Sequence, residues 1–405
     1  KETHRNLEVI WLIGGLRPDH WTICKFRREN REGIRSCAIA LRKFLYSNGY
    51  IGGNSVSFDG SKMKAYASRD MLSEEKLNSR IKNIEQLIDR YLDNTEETDQ
   101  LEEALENEAG KTKVLKEKIE KLEKRKAKYE EVKEQLKSSG KKFISPNDPD
   151  ASLMKSRDGK MACYNVQTGV DDKYHMLVLA EATDEGCDIG LLEPNLDALE
   201  SQLGIAPGQI LADKGFGNVN QIIKIEGDTG KSCYIPLAER KSKKKDNDTY
   251  TCPNGKKLLL SQKNYKKRAN TYNRYRCKEC GGCPIRQKCT SSKTGRSILV
   301  NTNNEWLQEH KRWVGENIEI VKKRKTIVEH PYGTIKLMMG KLCFLLTGRD
   351  KVQIETDIYS TVYNLKRLVN IENMNNLIEK VKKHNWKVNR GIFENIFLIS
   401  KLIFA

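Results

Sequence analysis

The sequence predicts an α/β fold: a mixed sheet flanked by helices, interrupted by an antiparallel coiled-coil hairpin and by a Cys-rich basic insertion. Three observations carry this. Between Asn54 and Glu239 the chain reads strand, strand, strand, helix, strand, helix, strand, the succession of a mixed sheet. In residues 72–138, Leu77, Ile81, Ile84, Ile88 and Tyr91 recur at steps of four and three, as do Leu115, Ile119, Leu122, Tyr129 and Leu136 in the same register. Five of the 11 cysteines crowd between Cys252 and Cys289.

Taken in order, residues 1–50 read as helical and DNA-binding, with Asp19 as N-cap of "HWTICKFRREN". The spacing turns Trp21, Ile23, Cys24 and Phe26 towards a core and leaves Lys25, Arg27 and Arg28 outside. His20 reads as a helix-start or core residue. The chain begins at Lys1 as if inside a helical domain, so an N-terminal truncation is expected. Residues 51–71 hold a strand in which Val56, Phe58, Met63 and Ala65 alternate around Asp-Gly-Ser. Residues 72–140 form the hairpin; positions 93–108 at its tip carry eight acidic and no basic side chains, which DNA would repel. It reads as a spacer, a protein contact, or a solvated insertion without a partner. Residues 141–240 complete the core, with strands at "CYNVQTGVDD", "YHMLVLAEAT", "QILADKGF" and "SCYIPLAE" and helices at "IGLLEPNLDALESQLG" and 217–227. Residues 241–305 are the Cys-rich insertion, 306–375 a helical region, and 376–405 a tail.

Charge narrows the partners. The chain of 405 residues holds 73 Lys and Arg against 55 Asp and Glu, a net +18, which favours a polyanion, nucleic acid before membrane. Residues 241–300 alone carry 17 basic and 3 acidic side chains. Reduced cysteines without an export signal place the protein in the cytoplasm, beside the nucleoid. No apolar run reaches the ~20 residues that span a bilayer, and "IFLISKLIFA" is broken by Lys401. Cys163, Cys187, Cys233 and Cys343 stand in apolar contexts and read as buried thiols.

The chemistry gathers on carboxylates. "ILADKGF" carries an apolar strand out of the core and ends it on Asp213; "FDGS" places Asp59 in a strand; "RKTIVEHPYGTIKLMMG" sets Glu329 and Lys336 on one helical face, beside His330, with Pro331 distorting the turn and Gly333 leaving space. Clustered carboxylates stay ionised together only with a cation, and oxygen ligands select Mg2+ or Mn2+. Asp148 is the alternative first acid, although Pro146 and Pro149 disfavour a central strand there, and with Asp150 it also reads as a turn or capping residue. Cys252, Cys280, Cys283 and Cys289 can complete a structural zinc site; Cys277 and Cys280 offer a second knuckle, and free thiols without metal are the plain alternative. Tyr265, Tyr272 and Tyr275 interleave with Lys266, Lys267, Arg268, Arg274 and Arg276, a mix suited to phosphate contact and base stacking.

These pieces resemble a family. "PDHWTICKFR", "FDGSKMKA", "DPDASLM" with "YNVQTGVD", "ADKGFGN", "CGGCPIRQKCT", and "VEHPYGTIK" with "YNLKRLVNI" occur in the order found in bacterial insertion-sequence DDE transposases, from about Leu7 to Ile371. The resemblance implies an RNase H-like core, two Mg2+ or Mn2+ ions, a triad of Asp59, Asp213 and Glu329, and Lys336 as a phosphate contact near the glutamate. It implies strand cleavage at element ends, 3′-OH strand transfer into target DNA, double-stranded DNA with terminal inverted repeats as partner, and a homodimer or larger synaptic complex. Two departures stand out: Lys325 replaces the arginine usual four residues before the glutamate, with Arg324 one earlier, and helices usual before residue 1 are missing. A truncated, inactive remnant that still binds DNA is the alternative; a zinc-stapled nucleic-acid-binding module is a third.

Overall fold

The computed structural model of the chain describes residues 2–66, 71–102, 109–156, 159–237, 244–245, 249–267, 270–340, 343–384 and 386. Arg268, the side chain of Lys336, most of the acidic tip of the hairpin and nearly all of the tail beyond Lys383 lie outside the described residues and side chains. The chain opens with helices α1 (Glu2–Arg5), α2 (Leu7–Leu12), α3 (His20–Glu29) and α4 (Arg31–Ser47). Asp19 caps α3, its carboxylate accepting from the Thr22 amide at 2.7 Å.

The central sheet is built from β1 (Ser55–Lys64), β2 (Ser152–Ser156), β3 (Gly159–Asp171), β4 (Leu177–Thr183), β5 (Gln209–Ala212) and β6 (Ser232–Tyr234). Its order is β2-β3-β1-β5-β6, with β4 also on β3. β3 is antiparallel to β1, β2 and β4, whereas β1, β5 and β6 run parallel. Parallel neighbours need helical crossovers. These are α7 (Leu192–Leu203) between β4 and β5, and α8 (Val219–Thr229) between β5 and β6. One face of the sheet packs Val56, Phe58, Ile210 and Ala212 against Leu192, Leu196 and Leu199 of α7 and Phe44 and Leu45 of α4.

Between β1 and β2 the chain leaves the sheet as α5 (Glu74–Glu102) and α6 (Ala109–Ser139). Leu77, Ile81 and Ile84 pack on Tyr129, Val132 and Leu136. The cross-pairings Glu74 with Lys137, Arg80 with Tyr129, Glu85 with Lys126, and Tyr91 with Lys118 run in opposite directions along the two helices. After β6 a second sheet forms from β7 (Lys244–Lys245), β8 (Thr249–Thr251), β9 (Lys257–Lys267), β10 (Asn270–Arg276) and β11 (Ser297–Asn301), with α9 (Arg286–Cys289) between the last two. The chain then returns as α10 (Asn304–Glu316), α11 (Ile318–Met339), α12 (Arg349–Ile371) and α13 (Met374–Lys383).

Helix α12 closes the free edge of β4. The Asn364 amide accepts from Leu177 N and donates to Leu177 O, both at 2.9 Å, and Gln353 does the same for Ala182 N at 2.7 Å and Ala180 O at 2.9 Å. Side chains thus satisfy strand groups that would otherwise template another strand. Asp148 and Asp150 begin this helix: Asp148 accepts from Gly348 N at 3.0 Å and from the Tyr164 hydroxyl at 2.6 Å, and Asp150 accepts from Arg349 N at 2.9 Å. Arg42 of α4, fully buried, lies 3.6 Å from Asp357 of α12, and Arg35 pairs with both Asp357 and Glu181.

Two expectations are corrected. No residue of α3 is buried; Trp21, Ile23 and Phe26 are exposed, as is Cys24. Arg27 is the part-buried residue, its charge lying close to the buried Glu355 of α12, so electrostatic pairing, not the apolar stripe, sets which side of α3 faces inward. Of the four thiols read as buried, Cys187 is exposed because it lies in the loop before α7, and Cys343 is only half-buried.

Removing the Asp357 carboxylate leaves the Arg42 charge buried without its main counter-ion. Asp357→Leu is expected to cost about 3–5 kcal/mol, read as a lowered midpoint in urea denaturation; an unchanged midpoint would show that the pair does not hold α4 to α12.

Candidate active site

The last rung between β1 and β5 pairs Phe58 with Ala212. Asp59 and Asp213 each come next in their own strand, so parallel pairing sets two carboxylates side by side where β5 ends. β1 continues, and Asp59 faces Thr168 of β3 across the antiparallel pair. Asp213 turns the chain, its side chain accepting from Gly215 N at 2.7 Å and opening a single 3-10 turn over Lys214–Phe216.

Helix α11 crosses this end of the sheet. Arg324 reaches Asp59 at 3.5 Å. Tyr332 shares a hydrogen bond with the Thr168 hydroxyl at 2.9 Å and donates to Val166 O at 3.2 Å. The helix runs through Pro331, with Ile327, Val328 and Ile335 buried against Val170 and Leu177. Burial raises the Asp59 carboxyl to about 6; Arg324 opposes this, while Asp213 and Asp188 push the same way.

Asp188 was not singled out by the sequence. It lies in the loop before α7, and its Oδ1 accepts from Asn165 Nδ2 at 2.7 Å and Gln167 Nε2 at 2.8 Å. Asn165 and Gln167 are buried on β3, and Asn195 of α7 donates to Gln167 at 2.9 Å. The signal that could have found Asp188 is "YNVQ": amides alternating on one face of an otherwise apolar strand demand a polar partner.

Glu329 is placed differently. Its side chain is 66% exposed and its ion pair is with Lys325, at 3.8 Å, on the outer face of α11. His330 is held away from solvent chemistry, bonded through Nδ1 to the Tyr363 hydroxyl at 2.9 Å and through Nε2 to Arg367 at 3.0 Å. Burial and the charge of Arg367 lower its basicity. Among the described residues no three His, Cys, Asp or Glu side chains stand close enough to hold a metal ion together. The buried Asn165 Oδ1, on the α7 face of β3, has no hydrogen-bond partner.

In the second sheet, Cys252, Cys277, Cys280, Cys283 and Cys289 all line one small pocket. Cys277, half of the second knuckle of the sequence pattern, is buried and packs with Cys252 and Cys280. Cys280 Sγ accepts from Arg296 N at 3.3 Å. Lys266 and Lys267 are exposed on β9, and the Arg274 guanidinium lies 3.8 Å from the Tyr265 ring centre, with Arg276 part-buried beyond it.

Two acidic side chains stand just past the last rung between adjacent parallel strands of a mixed α/β sheet. Residues 251–369 match the family described as transposase DDE domain. That match supports a DDE transposase of the insertion-sequence type, with DNA as its substrate class, and the mixed sheet with its many helices is consistent with a DDE nuclease fold. The matched segment contains the five clustered cysteines and Glu329; Asp59 and Asp213 precede it. No curated protein and no solved structure matches the chain. Among the described residues no helix is long and apolar enough to cross a membrane.

Raising the Asp59 carboxyl to about 6 means that the folded state holds this proton more tightly than the unfolded chain does. Its contribution to stability is therefore present at low pH and is lost as pH rises from about 4 through 6. In EDTA, Asp59→Asn is expected to be more stable than the parent at pH 7.5 by on the order of 2 kcal/mol, with the gap closing at pH 4. A gap that does not change with pH in urea titrations would refute the assignment.

Proposed function

We propose that this protein is a DNA transposase that cleaves strands at the ends of its element and joins the released 3′-OH to target DNA. The observation that carries the reading is the rung Phe58–Ala212, which delivers Asp59 and Asp213 to one place. The sheet order and the mixture of parallel and antiparallel neighbours support an RNase H-like core, with α5 and α6 as a coiled-coil insertion and the second sheet as a Cys-rich basic insertion. Asp59 and Asp213 would hold the divalent cations, Mg2+ or Mn2+, and Glu329 is the third acid by family resemblance. Such ions acidify a water and stabilise the charge on a leaving 3′ oxygen. The chain's own part is to fix those carboxylates, to present Arg324, Lys325 and Lys336 to phosphates, and to draw DNA along Lys266, Lys267, Arg274 and Arg276. Joining two element ends calls for a dimer or larger synaptic complex, working in the cytoplasm on chromosomal DNA.

A second reading is a remnant that binds DNA without cutting it. The outward Glu329 and the Arg324–Asp59 contact favour it. The five thiols border one pocket without any three standing close enough to hold an ion; a structural zinc there would have to draw four of them together, in a set open to Cys277.

With Mg2+ and a duplex carrying the element's own end, the parent chain is expected to cut, and Asp59→Ala and Asp213→Ala to cut at least 100-fold more slowly while binding the duplex equally. Binding without cutting by the parent would establish the remnant, and full activity of Asp213→Ala would overturn the site. Metal analysis of the purified protein is expected to return one zinc per chain; none, with the fold intact, would leave the thiols free.

A further inference from the structure

The carboxylate of Asp59 already has a cationic partner in the DNA-free chain. Arg324 of α11 brings its Nη1 to 3.5 Å from Asp59 Oδ1, with the two side chains only 18% and 26% exposed. Among the described residues no three His, Cys, Asp or Glu side chains stand close enough to hold an ion together. As they stand, these residues do not fit a resident divalent cation. A guanidinium occupies the carboxylate on which the proposed chemistry depends.

That pairing is incomplete. Arg324 Nη1 is buried and makes no hydrogen bond, so the contact is one of charge alone and leaves a donor unused. An arginine cannot relieve such a position by losing its proton. It gains by moving to an oxyanion that accepts a fork of hydrogen bonds, as a phosphate does. The backbone beneath it is braced. One turn on, Val328 is buried; two turns on, Tyr332 is bonded to the Thr168 hydroxyl at 2.9 Å and donates to Val166 O at 3.2 Å. Lys325, the next residue, points the other way and pairs with Glu329 on the outer face. Of these two adjacent cations, only Arg324 touches the paired aspartates.

We infer that Arg324 is an internal counter-ion that keeps divalent cations from Asp59 until a phosphate of bound DNA draws the guanidinium away. This rests on the cation-binding reading of Asp59 and Asp213 and goes beyond it by naming the residue that decides when the site can be loaded. A fixed positive charge beside a carboxylate repels a dication and competes for the same oxygen. Moving that charge onto a phosphate removes both effects at once. By linkage the reverse also holds: a cation at Asp59 frees Arg324 and tightens the hold on DNA.

The test is titration of the DNA-free chain with Mn2+, read from the electron paramagnetic resonance signal of the free ion, with thermal melting in EDTA to show that each variant folds. Arg324→Gln is expected to bind Mn2+ roughly ten-fold more tightly than the parent. Lys325→Gln removes the same charge from the outer face and is expected to differ from the parent by less than about three-fold. Equal or weaker binding by folded Arg324→Gln, or an equal gain in Lys325→Gln, overturns the inference. Adding Asp59→Asn or Asp213→Asn to Arg324→Gln is expected to abolish the gain; a gain that survives both lies elsewhere, and the cation reading of the two aspartates falls with the inference. If Asp59→Asn weakens Mn2+ binding while Arg324→Gln leaves it unchanged, the inference alone fails. A second readout uses the unaltered chain. At constant ionic strength, Ca2+ is expected to tighten its binding to a fluorescent duplex carrying the element's own end, measured by anisotropy, and the effect is expected to shrink in Arg324→Gln and vanish in Asp59→Asn. Ca2+ that leaves the parent's duplex binding unchanged, or weakens it, shows that cation and DNA are not linked through Arg324.

Discussion

The arrangement depends on one constraint: β1 and β5 are parallel neighbours, and β5 stops at Ala212 while β1 continues. Parallel pairing fixes the register, so the residue after the last rung on each strand must be adjacent to its counterpart. Both residues are aspartates, and like charges so placed disfavour joint ionisation. Burial is the main cause of the raised Asp59 carboxyl, Arg324 opposes it, and Asp213 and Asp188 add to the rise. The hydrophobic rung beneath, Phe58 on Ala212 within the main core, prevents the strands from splaying to relieve the repulsion. Packing therefore holds in place an electrostatic arrangement that would not persist in solvent.

Two layers of polar support surround it, one on each face of the sheet. On the α7 face Asn195, Gln167, Asn165 and Asp188 form a buried chain of amides ending on a carboxylate. On the α11 face Tyr332 ties the helix to β3 through Thr168 and the Val166 carbonyl. A similar economy appears at the sheet's far edge, where Asn364 and Gln353 of α12 stand in for a missing strand along β4, while α12 itself is anchored by Asp148 and Asp150.

Much of this was legible in the sequence, and the rest was not for definite reasons. The strand ending on Asp213, the alternation around Asp59 and the N-cap at Asp19 are local signals, encoded within ten residues of where they act. Asp188 was not legible, because "TDEGCDIG" reads as a polar turn and its meaning comes from amides more than twenty residues earlier. The face of α3 was misread because its apolar spacing is sound as helix but Arg27 finds the buried Glu355. Spacing alone left open which of the five clustered cysteines is surplus, whereas the β10 strand that leads into Cys277 carries it inside.

The orientation of α11 is the last piece. A helix advances about 100° per residue, so a face that presents Arg324, Val328 and Tyr332 to the sheet cannot also present Glu329. Arg324 at 3.5 Å supplies Asp59 with a positive charge, the role that a divalent cation would otherwise fill. A cation bound at Asp59, as proposed, would lower the attraction that holds Arg324 there, and without Arg324 the helix would lose one restraint on its rotation. A role for Glu329 beside Asp59 requires a turn of α11 by roughly the arc of one residue, in the sense that replaces Val328 with Glu329 against the sheet. That turn breaks the Tyr332 contacts with Thr168 and Val166 and moves buried Val328 towards solvent, so it needs a counter-contribution. The phosphates of bound DNA are suited to provide it, because they attract the Arg324 and Lys325 side chains away from their carboxylate partners. If a cation and DNA bind as proposed, their binding and the orientation of this helix would be coupled, each favouring the arrangement that admits the others.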